Sequence, residues 1–417
     1  MSFAALGLNS TLLQTLNQLR YEQPTPIQAQ AIPVILQGID IMAGAQTGTG
    51  KTAAFALPII DKLIAKPANP SDKKQLAALV LTPTRELAQQ VYNNFCQYAD
   101  NTQLKIEIAY GGASLTPQIN RLKDGADILV ATPGRLIDLM FKGVVDLAKL
   151  EFLVFDEADR MLDMGFINDI QRILKYVPEQ RQTMLFSATF DQSIFSLSKS
   201  LLTEAKLIEV DDRNTAATNV EQIVYQVDED RKRELTSYLI GSKNWQQVLI
   251  FTRTKQGADN LAKEMIKDGI KTQVIHGDKT QGRRDAALAD FKSGEVRALV
   301  ATDVAARGID IQQLQYVINY ELPYAAEDYI HRIGRTGRAG NTGIAITLVS
   351  EDENYLLEDI EVLLDQRLAP QWLAGYEPDP TKNTNKRKNS RAAEKRRAKQ
   401  RAMPKKRNGN KSKTRKF

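Results

Sequence analysis

Phe152-Leu153-Val154-Phe155-Asp156-Glu157-Ala158-Asp159 is the stretch on which the fold turns. Its first half is a short apolar run of the kind that fills a parallel strand covered on both faces. Its second half sets three carboxylates around one alanine. A strand that ends this way puts its acids at the carboxyl edge of a sheet, where open α/β folds hold their ligands. Taken alone, such a cluster is more often a solvated loop or a helix cap.

About a hundred residues upstream the chain supplies the reason to read it otherwise. Residues 39–43 read as a strand, and Ala45-Gln46-Thr47-Gly48-Thr49-Gly50-Lys51-Thr52 follows it and opens a helix. In this phosphate-loop pattern the glycines turn successive backbone N–H groups toward phosphates, the lysine reaches the β and γ oxygens, and the Ser/Thr hydroxyl binds Mg2+. Lys51 and Thr52 hold those positions, and the helix N-terminus adds positive partial charge. Ala45 stands where the strict pattern has glycine, at a place that needs only a small residue. Given phosphates there, Asp156 suits a Mg2+ held through water, and Glu157 suits a base that orients and deprotonates the attacking water. The two segments together point to hydrolysis of a nucleoside triphosphate.

At 417 residues the chain exceeds one ordinary core, so two domains of about 150–200 residues are expected. Strand and helix patterns alternate twice. Apolar runs at 39–43, 77–81, 105–109, 128–131, 152–155 and 183–186 read as the strands of one sheet. Runs at 224–227, 248–251, 273–275, 298–301, 316–319 and 344–349 read as those of a second, with a last helix over 352–367. Near the amino terminus, Leu12, Leu13, Leu16 and Leu19 fall on one helical face with Ser10 as the expected N-cap. The division predicted is a first domain over 1–209, a polar linker over 210–219, a second domain over 220–368 and a tail over 369–417.

Charge sharpens that division. Residues 382–417 carry 17 Lys/Arg and one acid, Glu394, whereas 1–381 carry 39 basic and 49 acidic residues; the formal net charge of +6 is an acidic body with a basic tail. A segment so poor in aliphatic residues cannot bury a core and is expected to be disordered alone, a tether for a polyanion such as nucleic acid. The single cysteine, Cys96, rules out a disulfide within the chain and reads as a core residue of a helix. His276 and His331 have no zinc-ligand spacing, so any metal is expected to travel with the nucleotide. No run approaches the length of a membrane span, and the uncharged first 19 residues lack the features of a secretory signal, so a cytoplasmic protein is expected.

The second half has no phosphate loop but is dense in arginine. His331-Arg332-Ile333-Gly334-Arg335-Thr336-Gly337-Arg338 spaces three arginines by three, and arginines so placed need anions if buried. A γ-phosphate in a cleft between the domains fits, because an arginine delivered there stabilises charge developing in the transition state.

These residues resemble the DEAD-box ATP-dependent RNA helicases of superfamily 2, bacterial type, over residues 3 to about 365. The resemblance implies two tandem RecA-like domains with parallel sheets, an ATP and Mg2+ site at the cleft, and RNA as partner, including duplexes and ribosomal RNA or ribonucleoprotein. Phe3 and Tyr21-Glu22-Gln23-Pro24-Thr25-Pro26-Ile27-Gln28 look like the adenine-reading motif, with Gln28 against the adenine edge. Arg20 stands where the family usually has glycine, so a local turn difference is expected there. Pro83-Thr84-Arg85-Glu86-Leu87-Ala88, Gly111-Gly112 and Thr132-Pro133-Gly134-Arg135 look like the RNA-backbone loops of the first domain. Phe251-Thr252-Arg253-Thr254, Gln281 with Arg284, and Thr302 look like those of the second. Ser187-Ala188-Thr189 resembles the motif that couples hydrolysis to strand separation. In Thr302-Asp303-Val304-Ala305-Ala306-Arg307-Gly308-Ile309-Asp310, Asp303 and Arg307 are similar to coupling residues and Asp310 to a ribose contact. By the same matching Arg335 and Arg338 are arginine fingers, and Asp159 and His331 couple the parts.

The implied enzyme is an RNA-dependent ATPase, working as a monomer, that unwinds RNA locally. Two alternative readings carry different expectations. A DNA-directed helicase would be stimulated equally by DNA, and a nucleotide-switched RNA clamp or chaperone would seldom turn over.

Overall fold

The computed structural model describes residues 2–44, 49–66, 74–190, 192–209, 220–306, 314–337 and 343–382. Two all-parallel sheets organise them. The first contains β1 (Ile41–Gly44), β2 (Ala78–Leu81), β3 (Ile106–Ala109), β4 (Ile128–Ala131), β5 (Phe152–Phe155), β6 (Gln182–Ser187) and β7 (Lys206–Glu209), in the order β3-β4-β2-β5-β6-β1-β7. The second contains β8 (Val220–Gln226), β9 (Val248–Thr252), β10 (Thr272–Ile275), β11 (Ala298–Thr302), β12 (Tyr316–Asn319) and β13 (Gly343–Val349), in the order β10-β11-β9-β12-β13-β8. The central strands are apolar throughout because both their faces are covered. Val80, Val130 and Val154 face one core of the first domain, while Leu79, Leu129 and Leu153 face the other.

Twelve of these strands lie where the apolar runs predict, with ends shifted by a few residues. β7 departs from the expectation. Its Lys206-Leu207-Ile208-Glu209 buries only Ile208, because an edge strand has a single neighbour, β1, and needs no apolar run. The first helix corrects another detail: its N-cap is Asn9, whose side chain accepts from the Leu12 N–H at 3.0 Å, and Ser10 is the first helical residue. Asn9 is in turn fixed by Asp61, which accepts from both its backbone and its side chain. Arg20 has φ 60, the left-handed region that glycine enters without steric cost, so the chain keeps a glycine-like turn with an arginine in it.

The segment after Leu368 differs from the low-complexity tail expected from 369 onward. Gln371 donates to the Val224 carbonyl and accepts from the Gln226 N–H, adding a bridge to the outer edge of β8. Leu373 and Tyr376 pack against the second core, and the Arg231 guanidinium lies 4.8 Å from the Tyr376 ring centroid. Lys382 then meets Asp228 at 3.0 Å and Asp230 at 2.7 Å. An open strand edge is a template for aggregation, and this segment covers one. Residues 383–417, and the linker expected at 210–219, lie outside the described residues.

Ending the chain after residue 368 should therefore lower the melting temperature by roughly 3–8 °C and promote aggregation, whereas ending it after 382 should leave melting within about a degree. Equal melting of the two truncated proteins would show that the segment does not belong to the fold.

Candidate functional site

Strand register assembles the nucleotide residues on the carboxyl edge of the first sheet. Gly44 at the end of β1 pairs with Ser187 at the end of β6, and Phe155, just before Asp156, pairs with Leu185. Neighbouring strands lie ~4.8 Å apart, so the mouth of the phosphate loop and Asp156 are held about 10 Å from each other with Ser187 between them. Ala45, Gln46, Thr47 and Gly48 lie outside the described residues, and the loop resumes at Thr49. Gly50 has φ 92 and caps the helix Lys51–Ile64, which Lys51 and Thr52 open. A Cβ on Gly50 would come within 2.3 Å of the Gln28 Nε2.

That close approach shows where Gln28 is committed. Its Nε2 donates to the Gly50 carbonyl at 3.1 Å and its Oε1 accepts from the Thr25 N–H at 2.9 Å. One N–H and one lone pair of the amide remain for an adenine edge. Tyr21 is 38% exposed, held edge-on between Phe3 and Tyr98, with ring centroids 6.3 and 6.1 Å away. Phe3 itself is a core residue, so it supports Tyr21 instead of facing a base.

Behind the loop, three polar atoms are buried without a protein hydrogen-bond partner: Lys51 Nζ, Asp156 Oδ1 and Glu157 Oε2. Burial pushes the Asp156 carboxyl up to about 6, against the pull of Lys51. Glu157 sits in the left-handed region at φ 55 and is flanked by Arg160, whose Nε is 3.6 Å from its Oε2. A non-glycine residue held there stores backbone strain, a common mark of functional positions. Buried charge of both signs, short of hydrogen-bond partners, fits Mg2+ and a polyphosphate: the amine suits phosphate oxygens, and Asp156 with Thr52 suits the cation. Asp159 turns the other way. Its Oδ2 accepts from the backbone N–H groups of Ala188 (3.1 Å) and Thr189 (3.2 Å) and from the Thr189 hydroxyl, while Ser187 donates to the Thr189 carbonyl at 2.6 Å. The acidic quartet is thus bonded directly to the loop after β6.

The loops expected to meet RNA in the first domain converge on one another. Thr84 caps the helix Arg85–Tyr98, behind the buried Pro83. Arg85 lies flat over Gly112, where a Cβ would strike the guanidinium at 2.0 Å. The Gly111 N–H donates to the Thr132 hydroxyl, and Arg135, behind Pro133 and Gly134, donates to the Ala113 carbonyl at 2.9 Å. Its Nε and Nη1 are buried without hydrogen-bond partners.

In the second domain the arginines are distributed differently from the expectation. Arg284 pairs with Glu86 of the first domain at 2.7 Å, both side chains less than a tenth exposed. Gln281 lies between Glu86 and Arg85, with its Oε1 3.4 Å from Arg85 Nη1. These two bridge the domains, and Glu86 is the partner that the sequence reading passes over. Arg253 pairs with Glu353 at 2.9 Å and Glu321 at 3.6 Å, which places protein carboxylates where RNA phosphate was expected. Arg332 corrects the expectation that the three spaced arginines await phosphate: it grips Asp303 with Nε and Nη2, at 2.6 and 2.8 Å. Thr252 and Thr302 end paired strands, both buried. His331 is half-buried on the helix Ala326–Ile333, and Arg335 is buried just beyond it. Arg307, Asp310 and Arg338 lie outside the described residues.

Residues 25–197 match the DEAD/DEAH box helicase family, and residues 230–340 match the helicase conserved C-terminal domain. The DEAD-box ATP-dependent RNA helicase CshA of Bacillus cereus is 42% identical over 360 residues, 86% of this chain and 67% of that protein. Its counterpart from Bacillus subtilis is 41% identical over 361 residues, 87% of this chain and 72% of that protein. Among solved structures, S. cerevisiae Dbp5 bound to RNA and ADP BeF3 superposes with a TM-score of 0.79 at 30% identity, covering 94% of this chain and 99% of that one. A DEAD box protein from Methanococcus jannaschii gives 0.51 at 38% identity, covering 88% and 98%. The two parallel-sheet domains are RecA-like.

The raised Asp156 has a measurable consequence. A buried carboxyl whose folded pKa lies above its ordinary 3.8 destabilises the empty fold fully above pH 6, and the penalty fades as pH falls toward 3.8. Asp156→Asn should stabilise the nucleotide-free protein by roughly 1–3 kcal/mol at pH 8 and by about half as much at pH 5. Denaturant titration at the two pH values would reveal an error if the gain were equal or reversed.

Proposed function

The chain belongs to the DEAD-box ATP-dependent RNA helicases, and from that membership we propose a cycle in which RNA gates ATP hydrolysis by holding the two domains together. The energy released is spent on local, non-processive separation of RNA duplexes or on remodelling of ribonucleoproteins. One observation carries this reading: the buried pairing of Glu86 with Arg284 joins the first domain's RNA loop to the second domain.

ATP binds against Lys51, Thr52 and Gln28. Magnesium, when bound with it, neutralises phosphate charge, and Asp156 and Thr52 are the residues that suit it. Glu157 orients and deprotonates the attacking water, its strained backbone aiming the carboxylate. Arg335, with Arg338, supplies the positive charge that the transition state requires, and it does so only when the domains meet. RNA laid across Arg85, Gly112, Thr132 and Arg135 on one side and the second domain on the other stabilises that meeting. A strand held on so short a bent surface is incompatible with a regular duplex, so the partner strand is displaced. Asp159, bonded to the Ser187-Ala188-Thr189 loop, reports hydrolysis to the RNA side. We place the protein in the cytoplasm as a monomer; among the described residues no helix is long and apolar enough to cross a membrane. The basic tail beyond residue 382 tethers RNA nonspecifically, and the 2′-hydroxyl separates RNA from DNA at the core.

Three experiments test the cycle. Glu86→Gln should lower RNA-saturated ATPase at least about tenfold with unchanged ATP affinity, and the exchanged pair Glu86→Arg with Arg284→Glu should recover part of it. Failure of the exchange to improve on either single variant would argue against the bridge. Arg335→Ala should abolish RNA-stimulated turnover, and normal turnover in that variant would rule out closure as the gate. If the tail makes six to ten phosphate contacts, RNA affinity should fall roughly 10³–10⁵ between 50 and 200 mM salt, and deleting residues 383–417 should flatten that slope. An unchanged slope would reduce the tail to a solubilising role.

A further inference from the structure

The second domain contains a line of charges that neither nucleotide nor RNA contact accounts for. Lys232 is fully buried and pairs with Glu353, itself 2% exposed, and with Glu229 at 2.9 Å. Glu353 also accepts from the Ser350 N–H and hydroxyl and lies 2.9 Å from the Arg253 guanidinium. Arg253 continues the line to Glu321, whose carboxylate accepts from the Arg253 N–H at 2.7 Å and lies 3.6 Å from its Nη2. The backbone carbonyl of Glu321 then accepts from Arg332 Nη1 at 2.6 Å, and Arg332 ends the line on Asp303.

Buried ion pairs seldom add net stability, since the desolvation of both charges offsets their attraction. Their value lies in geometry, because breaking one strands a charge and so forbids the alternative arrangement. The geometry here is specific. Arg253 belongs to the loop after β9 that is expected to meet RNA, and Arg332 stands one turn before Arg335. β9 and β12 are neighbours, and Glu321 follows β12 with its side chain on the first arginine and its carbonyl on the second. Arg332 also lies over the Phe251 ring, 5.1 Å from its centroid, next to Thr252.

We propose that Glu321 is a positioning residue that locks the 252–254 loop to the segment carrying Arg335, so that RNA contact at the loop sets where the arginine stands. Glu353 and Lys232 fix the far end of the same line. Glu321 touches no reacting atom; it acts through Arg253 and Arg332. Small displacements of a transition-state arginine are enough to matter, since misplacement by about 1 Å can cost on the order of a hundredfold in rate.

The inference rests on the RNA-gated cycle, and its test separates the two. Steady-state ATPase of the full chain is measured against single-stranded oligouridylate, together with binding of N-methylanthraniloyl-ADP. Glu321→Gln, which keeps an acceptor for the Arg253 N–H but removes the charge, should lower RNA-saturated kcat about tenfold while ADP affinity stays within about twofold. Arg253→Gln should do the same, and the double variant should be no worse than about tenfold, because Arg253→Gln already removes the link that Glu321→Gln cuts. A product of about a hundredfold in the double variant, a Glu321→Gln kcat equal to wild type, or a parallel loss of kcat and ADP affinity would each overturn the proposal. Wild-type protein that ignores oligouridylate would instead sink the RNA-gated cycle itself.

Discussion

Buried charge short of hydrogen-bond partners is the condition on which the first domain is built. Lys51, Asp156 and Glu157 lie together at the carboxyl edge with polar atoms that no protein group hydrogen-bonds, Glu157 having only its ion pair with Arg160. Such a cluster is unfavourable in the empty protein, as the raised Asp156 shows. It persists because the parallel register of β1, β6 and β5 allows no other placement of the strand ends, and because two apolar cores hold that register. A ligand bearing both anionic oxygens and a divalent cation relieves the cluster. Affinity for nucleotide at this cluster would then be the reverse side of its cost to the fold.

The second domain solves the opposite problem. Three of its described arginines are satisfied within the protein: Arg332 by Asp303, Arg253 by Glu321 and Glu353, Arg284 by Glu86. Only the last of these pairs crosses between domains. The first domain thus holds unmet charge in a fixed cradle, and the second holds a set of oriented cations whose pairing keeps them from rearranging. In the proposed cycle, function follows from bringing an unsatisfied site to a satisfied framework.

Most of the fold was legible because central parallel strands are apolar on both faces, and a short aliphatic run is hard to mistake when turn residues bound it. β7 escaped for the converse reason, since an edge strand with one buried side chain leaves no such run. At the site, the family resemblance alone pointed to Asp159, but Lys51, Asp156 and Glu157 were readable from local pattern, because strand end and loop chemistry lie within a few residues. The partners of the arginines were not. Arg284 finds Glu86 from 198 positions away, a distance at which composition says nothing about who meets whom. Buried arginines do need anions, but sequence cannot say whether a carboxylate of the protein or a phosphate will answer. The segment 369–382 was misread alongside the basic tail, although Trp372, Leu373 and Tyr376 set it apart from the residues that follow.

Gln28 and Gly50 are coupled in a way that bears on how this chain can drift. The amide occupies the space a Cβ would need at Gly50, and the glycine's carbonyl is one of the few groups that holds the amide. Gly50 cannot accept a side chain while Gln28 stays as it is. A lineage that loses the glutamine still needs the glycine, because a φ of 92 strains any side chain placed there. Position 50 is therefore held twice over, by its backbone and by the amide, whereas position 28 is held only by what the amide touches.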